Sequence, residues 1–315
     1  MTRYFVIRVL ILIPTLFVVL FLTFLIGHMG PIDPVVRIRE QMAGQGMYMS
    51  QEEIDQLRHQ FGLDRPFILQ FWTYVDNLLH GSFGYSYVDS SPIWPRIEKS
   101  LPVSGSLALG AFAILVFLGI PLGTLAAKFH NSRVDYAVVG STLFLRAFPV
   151  YVMVPVTLIV FVLWLDLMNV PRGWKGVLHP AFFLGAALMS TRTLATVVRQ
   201  TRAGILEALT NDYVRTARAK GLRELKVITR HVMRNALIPV ITSLGMMIDD
   251  FMWGAVFIDV AFNFPGLGRL YSSGLGSRDY SVIFGVTIFT AFLTMAFNLL
   301  VDLLYPLLDP RVTYS

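Results

Sequence analysis

Read from the N-terminus, the chain alternates long apolar blocks with shorter polar stretches, and the blocks follow neither the period of an amphipathic helix nor that of a half-buried strand. The first, Val9 to Gly27, carries no charge and follows Arg3 and Arg8. Roughly 20 apolar residues cross a bilayer as a helix. Because no small-residue cleavage site follows, this block is expected as a retained first span rather than a signal peptide. Leu101 to Ala127 and Tyr136 to Leu165 are expected as the second and third spans, joined into a helical hairpin by a short turn carrying Lys128, His130 and Arg133. The fourth runs from about Val177 to Val198, with Pro180 near its start and Arg192 near its end. The fifth covers about Asn235 to Ile258 and the sixth Tyr280 to Leu308. The pattern predicts an all-α, polytopic membrane protein with six transmembrane helices.

Six spans place both termini on one side, and the charges say which. With the N-terminus cytoplasmic, 15 Lys and Arg fall in cytoplasmic segments and 10 in external ones, with Arg146 inside a span. That bias favours cytoplasmic termini. Ten of the cytoplasmic fifteen lie between Arg192 and Arg234. The external segment between the first two spans is long and of mixed charge. Ser50 with Glu53 fits a capping box, and Ile54, Leu57 and Phe61 follow at helical spacing before Gly62. Three regions are therefore expected: residues 1–28 as a cytoplasmic N-terminus and first span, 29–100 as an external segment with a small helical lobe, and 101–315 as a five-helix core with a cytoplasmic loop at about 200–235.

Composition supports this picture and removes several kinds of chemistry. The chain is 55% apolar and 15% charged, against about half and about a quarter in soluble domains. It has no cysteine, which excludes disulfides, thiolate metal sites and thiol nucleophiles. Its net charge of +6 fits cytoplasmic loops beside anionic lipid better than nucleic acid. There is no Gly-rich phosphate cradle ending in Lys and Ser/Thr, and no HExxH metal motif. His179, the one histidine in an expected span, lies near that span's end, where an interfacial position is the ordinary reading. The adjacent carboxylates Asp249 and Asp250 point about 100 degrees apart on a helix and make a poor chelate for magnesium. No catalytic residue, no metal site and no cofactor of its own is expected, and any ATP is hydrolysed with magnesium on another chain.

The basic stretch Asn211 to Arg234 forms helix readily and is interrupted once, at Gly221. Glycine costs about 1 kcal/mol in a helix interior and commonly ends one, so two short helices meeting at Gly221 are expected. Ala217 and Ala219 are small enough to admit another backbone. This segment reads either as a solvated charged loop or as a docking knob for a cytoplasmic partner.

At these residues the chain resembles a known family. The stretch Tyr213-Val-Arg-Thr-Ala-Arg-Ala-Lys-Gly221-Leu222, with Arg230-His231 and Arg234-Asn-Ala-Leu-Ile-Pro239 after it, is similar to the coupling loop of binding-protein-dependent ABC importer permeases, in the subfamily for dipeptides, oligopeptides and nickel. Gly30-Pro-Ile-Asp33-Pro34, Phe61-Gly-Leu-Asp-Arg-Pro66, His80-Gly-Ser-Phe-Gly84, Phe264-Pro-Gly-Leu-Gly-Arg269 and Arg278-Asp-Tyr280 match it in order. So does the closing run from Asn298 through Asp302 to Asp309-Pro-Arg311. Where the general motif begins Glu-Ala-Ala, this chain has Arg215-Thr216-Ala217. Where it ends Ile-x-Leu-Pro, the chain has His231-Val-Met233-Arg234, with proline only at Pro239.

The resemblance implies an importer permease of the type I fold in the cell inner membrane. Its partners would be a second homologous permease, two ATPase subunits and an extracytoplasmic solute-binding protein, with the lipid bilayer around it and no nucleic acid. The loop residues that would couple to the ATPase are Arg215, Thr216, Ala217, Arg218, Ala219, Lys220, Gly221, Leu222, His231 and Arg234. Charges inside spans cost about 2.5–3.5 kcal/mol on insertion scales, so Arg146, Asp249 and Asp250 either pair with each other or line a solute path. Asp302 reads as structural. Short peptides are the expected solute, with nickel, oligosaccharides and other solutes open within the family. A secondary transporter driven by an ion gradient and a membrane scaffold stand as alternatives, each without an ATPase partner.

Overall fold

A computed structural model describes residues 2–29, 34–44, 46–60, 62–171, 173–246 and 248–308. Among these the regular structure is helical, with one isolated antiparallel bridge between Tyr85 and Pro92. Internal packing divides the chain into two compact units, one of Met1–Leu101 with Arg269–Met295 and one of Pro102–Gly268 with Ala296–Ser315. The motifs at Gly30 to Asp33 and Asp309 to Arg311, and Phe61 of the lobe, lie outside the described residues.

In the first unit α1 (Thr2–Met29) is followed by α2 (Pro34–Gly44), α3 (Gln51–Gln60) and α4 (Phe67–Leu79). The capping box forms: the Ser50 backbone N–H donates to the Glu53 carboxylate at 2.7 Å, and the Glu53 N–H donates back to Ser50 Oγ. The bonds that the Ser50 N–H and hydroxyl donate to it hold the Glu53 carboxyl below its ordinary range. Gly62 carries φ 66° at the turn that follows. Phe71 is buried with Leu20 and Ile288. The loop after α4 is pinned by Asp279, whose carboxylate accepts from Ser86 Oγ at 2.5 Å and from the Tyr87 N–H at 3.2 Å. Both Ser86 and Asp279 are buried, so this carboxylate is matched by donors as burial demands.

Two long helices organise the second unit, the first of them starting in the first unit. α5 (Ile93–Lys128) widens into a π turn at Leu115–Gly119, just before Pro121. Proline lacks an N–H and its ring crowds the carbonyl four residues back, and the wider turn relieves both. After it come α6 (Arg133–Ala147), α7 (Val150–Trp164) and α8 (Pro180–Leu209). Gly119 and Gly123 sit four apart on α5, where a Cβ would meet Val197 Cγ1 at 2.8 Å and the Val198 carbonyl oxygen at 2.7 Å. Small residues at that spacing let α5 and α8 approach closely, as membrane helices do. The core around them holds Leu107, Leu115, Val154, Val197, Ile258 and Phe264.

Among the described residues four helices are long and apolar enough to cross a membrane: Leu10–Met29, Ile93–Lys128, Pro180–Leu209 and Tyr280–Asp302. The expected third span is not one straight helix. α6 and α7 meet at 98°, because Pro149 forces Phe148 into extended backbone at φ −89°, ψ 124°. The expected fourth span begins at Pro180, capped by His179, and runs on to Leu209. The expected fifth begins in α10 (224–236), is interrupted at Leu237, and continues through α11 (Ile238–Met246) and α12 (Ile248–Phe262). α13 (Leu267–Ser277) and α14 (Tyr280–Leu308) follow.

The glycines of Phe264-Pro-Gly-Leu-Gly-Arg269 are explained by contact. The Gly268 N–H donates to the buried Asp259 carboxylate at 3.0 Å, and a Cβ on Gly268 would lie 2.5 Å from Val256 Cα. Backbone cannot yield as a side chain does. Gly268→Ala is therefore expected to destabilise by about 1–3 kcal/mol, read as a lower thermal melting point of the detergent-solubilised protein.

Candidate functional site

The basic segment begins where α8 ends. Asn211 closes that helix, its side-chain amide donating to the carbonyls of Glu207 and Ala208 at 3.2 and 3.3 Å. α9 (Asp212–Ala219) then starts in a new direction. Val214 and Ala217, three apart, face inward onto Val227, Val232, Ala236, Ile205, Ala208 and Ala127. The other face presents Arg215, Thr216, Arg218, Ala219 and Lys220 to solvent.

α9 stops at Gly221, which has φ 74° and donates its N–H to the Arg218 carbonyl at 2.9 Å. A left-handed residue just past a helix end is the usual glycine stop, completed by an apolar contact from the next residue. Leu222 makes that contact with the small core beneath. The chain re-enters helix as α10, a turn at Glu224–Lys226, a π turn at Val227–Val232 and Met233–Ala236. Across the break Arg218 grips Glu224 with Nε at 3.2 Å and Nη2 at 2.6 Å. This lowers the Glu224 carboxyl and raises the Arg218 guanidinium from their ordinary values. Both side chains are about half exposed, so the pair contributes at most about 1 kcal/mol to holding the two helices together.

The expected loop residues thus separate by face. Arg215, Thr216, Arg218, Ala219, Lys220, Gly221 and Arg234 are exposed, Leu222 and His231 are half-buried, and Ala217 is buried. Ala217 corrects the sequence reading: its small side chain admits the chain's own α10, while Ala219 is the open one. Leu225, 75% exposed among Arg223, Lys226 and Arg230, is an apolar projection the sequence reading passed over. Its signal was a leucine two residues before Val227, on the opposite side of a helix.

A second feature is visible only in three dimensions. Asp135, in the first turn of α6, accepts from Arg202 of α8 through Nε and Nη2, both at 2.7 Å, and from the Asn131 N–H at 2.9 Å. Arg202 Nη2 also donates to His130 Nδ1 at 2.8 Å. Ser132 caps α6 by accepting from the N–H groups of Val134 and Asp135. The Asp135 side chain is 3% exposed and that of Arg202 25%. The turn between α5 and α6 is thereby locked to α8 one turn before Ile205, which belongs to the core beneath α9.

Of the charges expected in spans, Arg146 lies in the last turn of α6 and donates to Thr196 Oγ1 of α8 at 3.0 Å. Asp249 and Asp250 fall in α12, and their side chains lie outside the described residues. Among the described residues no group of three or more His, Asp or Glu side chains could hold a metal ion. Asp259, one residue past the expected fifth span, is fully buried.

Comparison with known proteins covers nearly the whole chain. Residues 119–314 match the model of the binding-protein-dependent transport system inner membrane component, and residues 1–108 match that of the N-terminal part of such components. The chain is 33% identical to the oligopeptide transport system permease OppB of Haemophilus influenzae, over 98% of each chain. It is 34% identical to the glutathione transport system permease GsiC of Escherichia coli K12 and 33% to the oligopeptide transport system permease AppB of Bacillus subtilis, over 100% of each. In fold it resembles a chain in the crystal structure of an amino acid ABC transporter with histidines. The TM-score is 0.50 at 20% identity, over 67% of this chain and 93% of that one; at that identity the likeness concerns the fold alone.

Proposed function

The chain belongs to the inner membrane components of binding-protein-dependent transport systems, and from that membership we propose how it works and what it carries. It is a permease subunit of an ABC importer, embedded in the inner membrane by several apolar helices. The proposed solute is a short peptide, in keeping with relatives named for oligopeptide and glutathione transport. The chain would form half of the pore beside a second permease, with six spans and cytoplasmic termini, and two ATPase subunits would dock on the paired loops.

The observation that carries this reading is the knob at Gly221, two short helices broken at that residue, with a basic face outward and a small core beneath that they share with α5 and α8. Such a rigid element can transmit a movement, as a two-state coupling requires. The exposed side chains Arg215, Arg218, Lys220 and Arg234 would meet acidic groups on the ATPase, with magnesium and ATP held on that subunit. ATP closure would move α9 and α10, and the Asp135–Arg202 lock would carry the movement into the α5–α6 turn.

The test is ATPase activity of the complex reconstituted with its co-purifying subunits, with and without binding protein loaded with a candidate peptide. Stimulation by the loaded protein is the expected result. Failure to retain any ATPase in mild detergent would overturn the reading of the knob as the docking element.

Arg146, Asp249 and Asp250 are proposed for the solute path, a free carboxylate meeting the peptide amine. Asp249→Asn and Asp250→Asn are expected to slow cationic peptides more than neutral ones in vesicle uptake, and equal slowing of both would remove them from that role.

A further inference from the structure

α4 belongs to the segment that the sequence places in a water-exposed lobe, yet its faces are arranged the wrong way round for water. Gln70, Thr73, Tyr74 and Asn77 turn toward a cavity of about 1000 Å³ within the first unit. Phe71 and Leu78 pack in a core with Leu20 of α1. The remaining face presents Ile68, Leu69 and Trp72, which are 54, 51 and 53% exposed, and in its last turn Leu79, 81% exposed, beside the exposed Asp76. A helix in water turns its polar face outward and its apolar face inward.

The packing of α4 fixes its depth. Phe71 lies edge-on to Phe17 and Phe21 at 5.5 and 5.4 Å between ring centres, and Trp72 lies 6.3 Å from Phe17. Phe17 is twelve residues from the Met29 end of α1, about 18 Å along the axis at about 1.5 Å per residue. The hydrocarbon core is about 30 Å thick, and Phe71 also lies 5.5 Å from Phe24, five residues from the same end, so its ring sits in the outer half of the span. α1 itself is only 6% buried over its most apolar window, and its exposed residues Ile13, Phe17 and Val18 continue into the open face of α4.

We propose that α4 is embedded in the membrane, its Ile68–Leu69–Trp72 face in contact with lipid chains of the outer leaflet and its polar face roofing the cavity. Charge fits this placement: Arg65 precedes the helix, Asp76 and His80 pair at its far end, and no charge lies between Arg65 and Asp76. The helix would anchor the external segment at the bilayer surface, as amphipathic interfacial helices do.

The chain has no cysteine, so once cysteines of the partner subunits are replaced, single substitutions report alone. Ile68→Cys and Trp72→Cys would be spin-labelled in the assembled complex in lipid vesicles, with Ile13→Cys as the lipid reference and Tyr48→Cys, in an exposed loop, as the aqueous one. The measurement is relaxation by oxygen, which partitions into lipid, against relaxation by a water-soluble nickel complex. The expected result is high oxygen and negligible nickel accessibility at residues 68 and 72, matching residue 13. Nickel accessibility near that of residue 48 would overturn the proposal by placing the face in water. Low accessibility to both reagents would overturn it by placing a protein subunit over the face.

Discussion

Replacing Gly221 with proline should abolish uptake while leaving the chain in the membrane. Gly221 has φ 74° and donates its N–H to Arg218, whereas proline fixes φ near −65° and has no N–H. Proline also disfavours helical backbone at the residue before it, which here is Lys220, the capping residue just past α9. The exposed faces of α9 and α10 would then no longer share a geometry. The cores that hold the long helices together, at Leu107 and Val197, lie elsewhere, so insertion should survive. Gly221→Ala gives the graded case: open space surrounds its Cβ, and only the left-handed backbone costs, by about 1–2 kcal/mol. The order of transport expected is wild type, then Ala, then Pro at background. Membrane abundance and capture of the ATPase should be measured on the same samples. Wild-type uptake by an abundant Gly221→Pro protein would show that the break does not transmit the movement.

How much of this could be seen in the sequence depends on the range of the interaction. The first span, the capping box at Ser50 and Glu53 and the break at Gly221 were legible because each rests on neighbouring residues. The 98° bend between α6 and α7 had a local signal as well: Pro149 was in view, but the apolar run around it outweighed it, since hydropathy reports length and not direction. Arg202 was legible only as one of ten basic residues between Arg192 and Arg234; its partner lies 67 positions away, and no local pattern joins them. Ala217 was misread because a small residue suits a close approach from either side, and only the position of α10 decides which. The open apolar face of α4 was legible as a composition and not as a location, because the depth comes from contacts with Phe17 and Phe21 on another helix.

Removing Asp135 should destabilise the protein more than removing any charge of the exposed knob. The Asp135 side chain is 3% exposed and accepts both guanidinium bonds of Arg202 together with the Asn131 N–H. Breaking such a pair from one side costs about 3–5 kcal/mol, because a partly buried charge is left without its counterion. Arg218→Ala breaks a pair about half exposed on both sides and should cost at most about 1 kcal/mol. A double-mutant cycle separates pairing from bulk. Asp135→Ala and Arg202→Ala should each lower the melting temperature in detergent strongly, and the double variant should lose less than the sum, because neither charge is then stranded. Uptake should follow the same pattern, since the pair ties the α5–α6 turn to the helix that leads into α9. Losses that simply add would show that the two residues act independently and that the movement of α9 reaches the hairpin by packing alone.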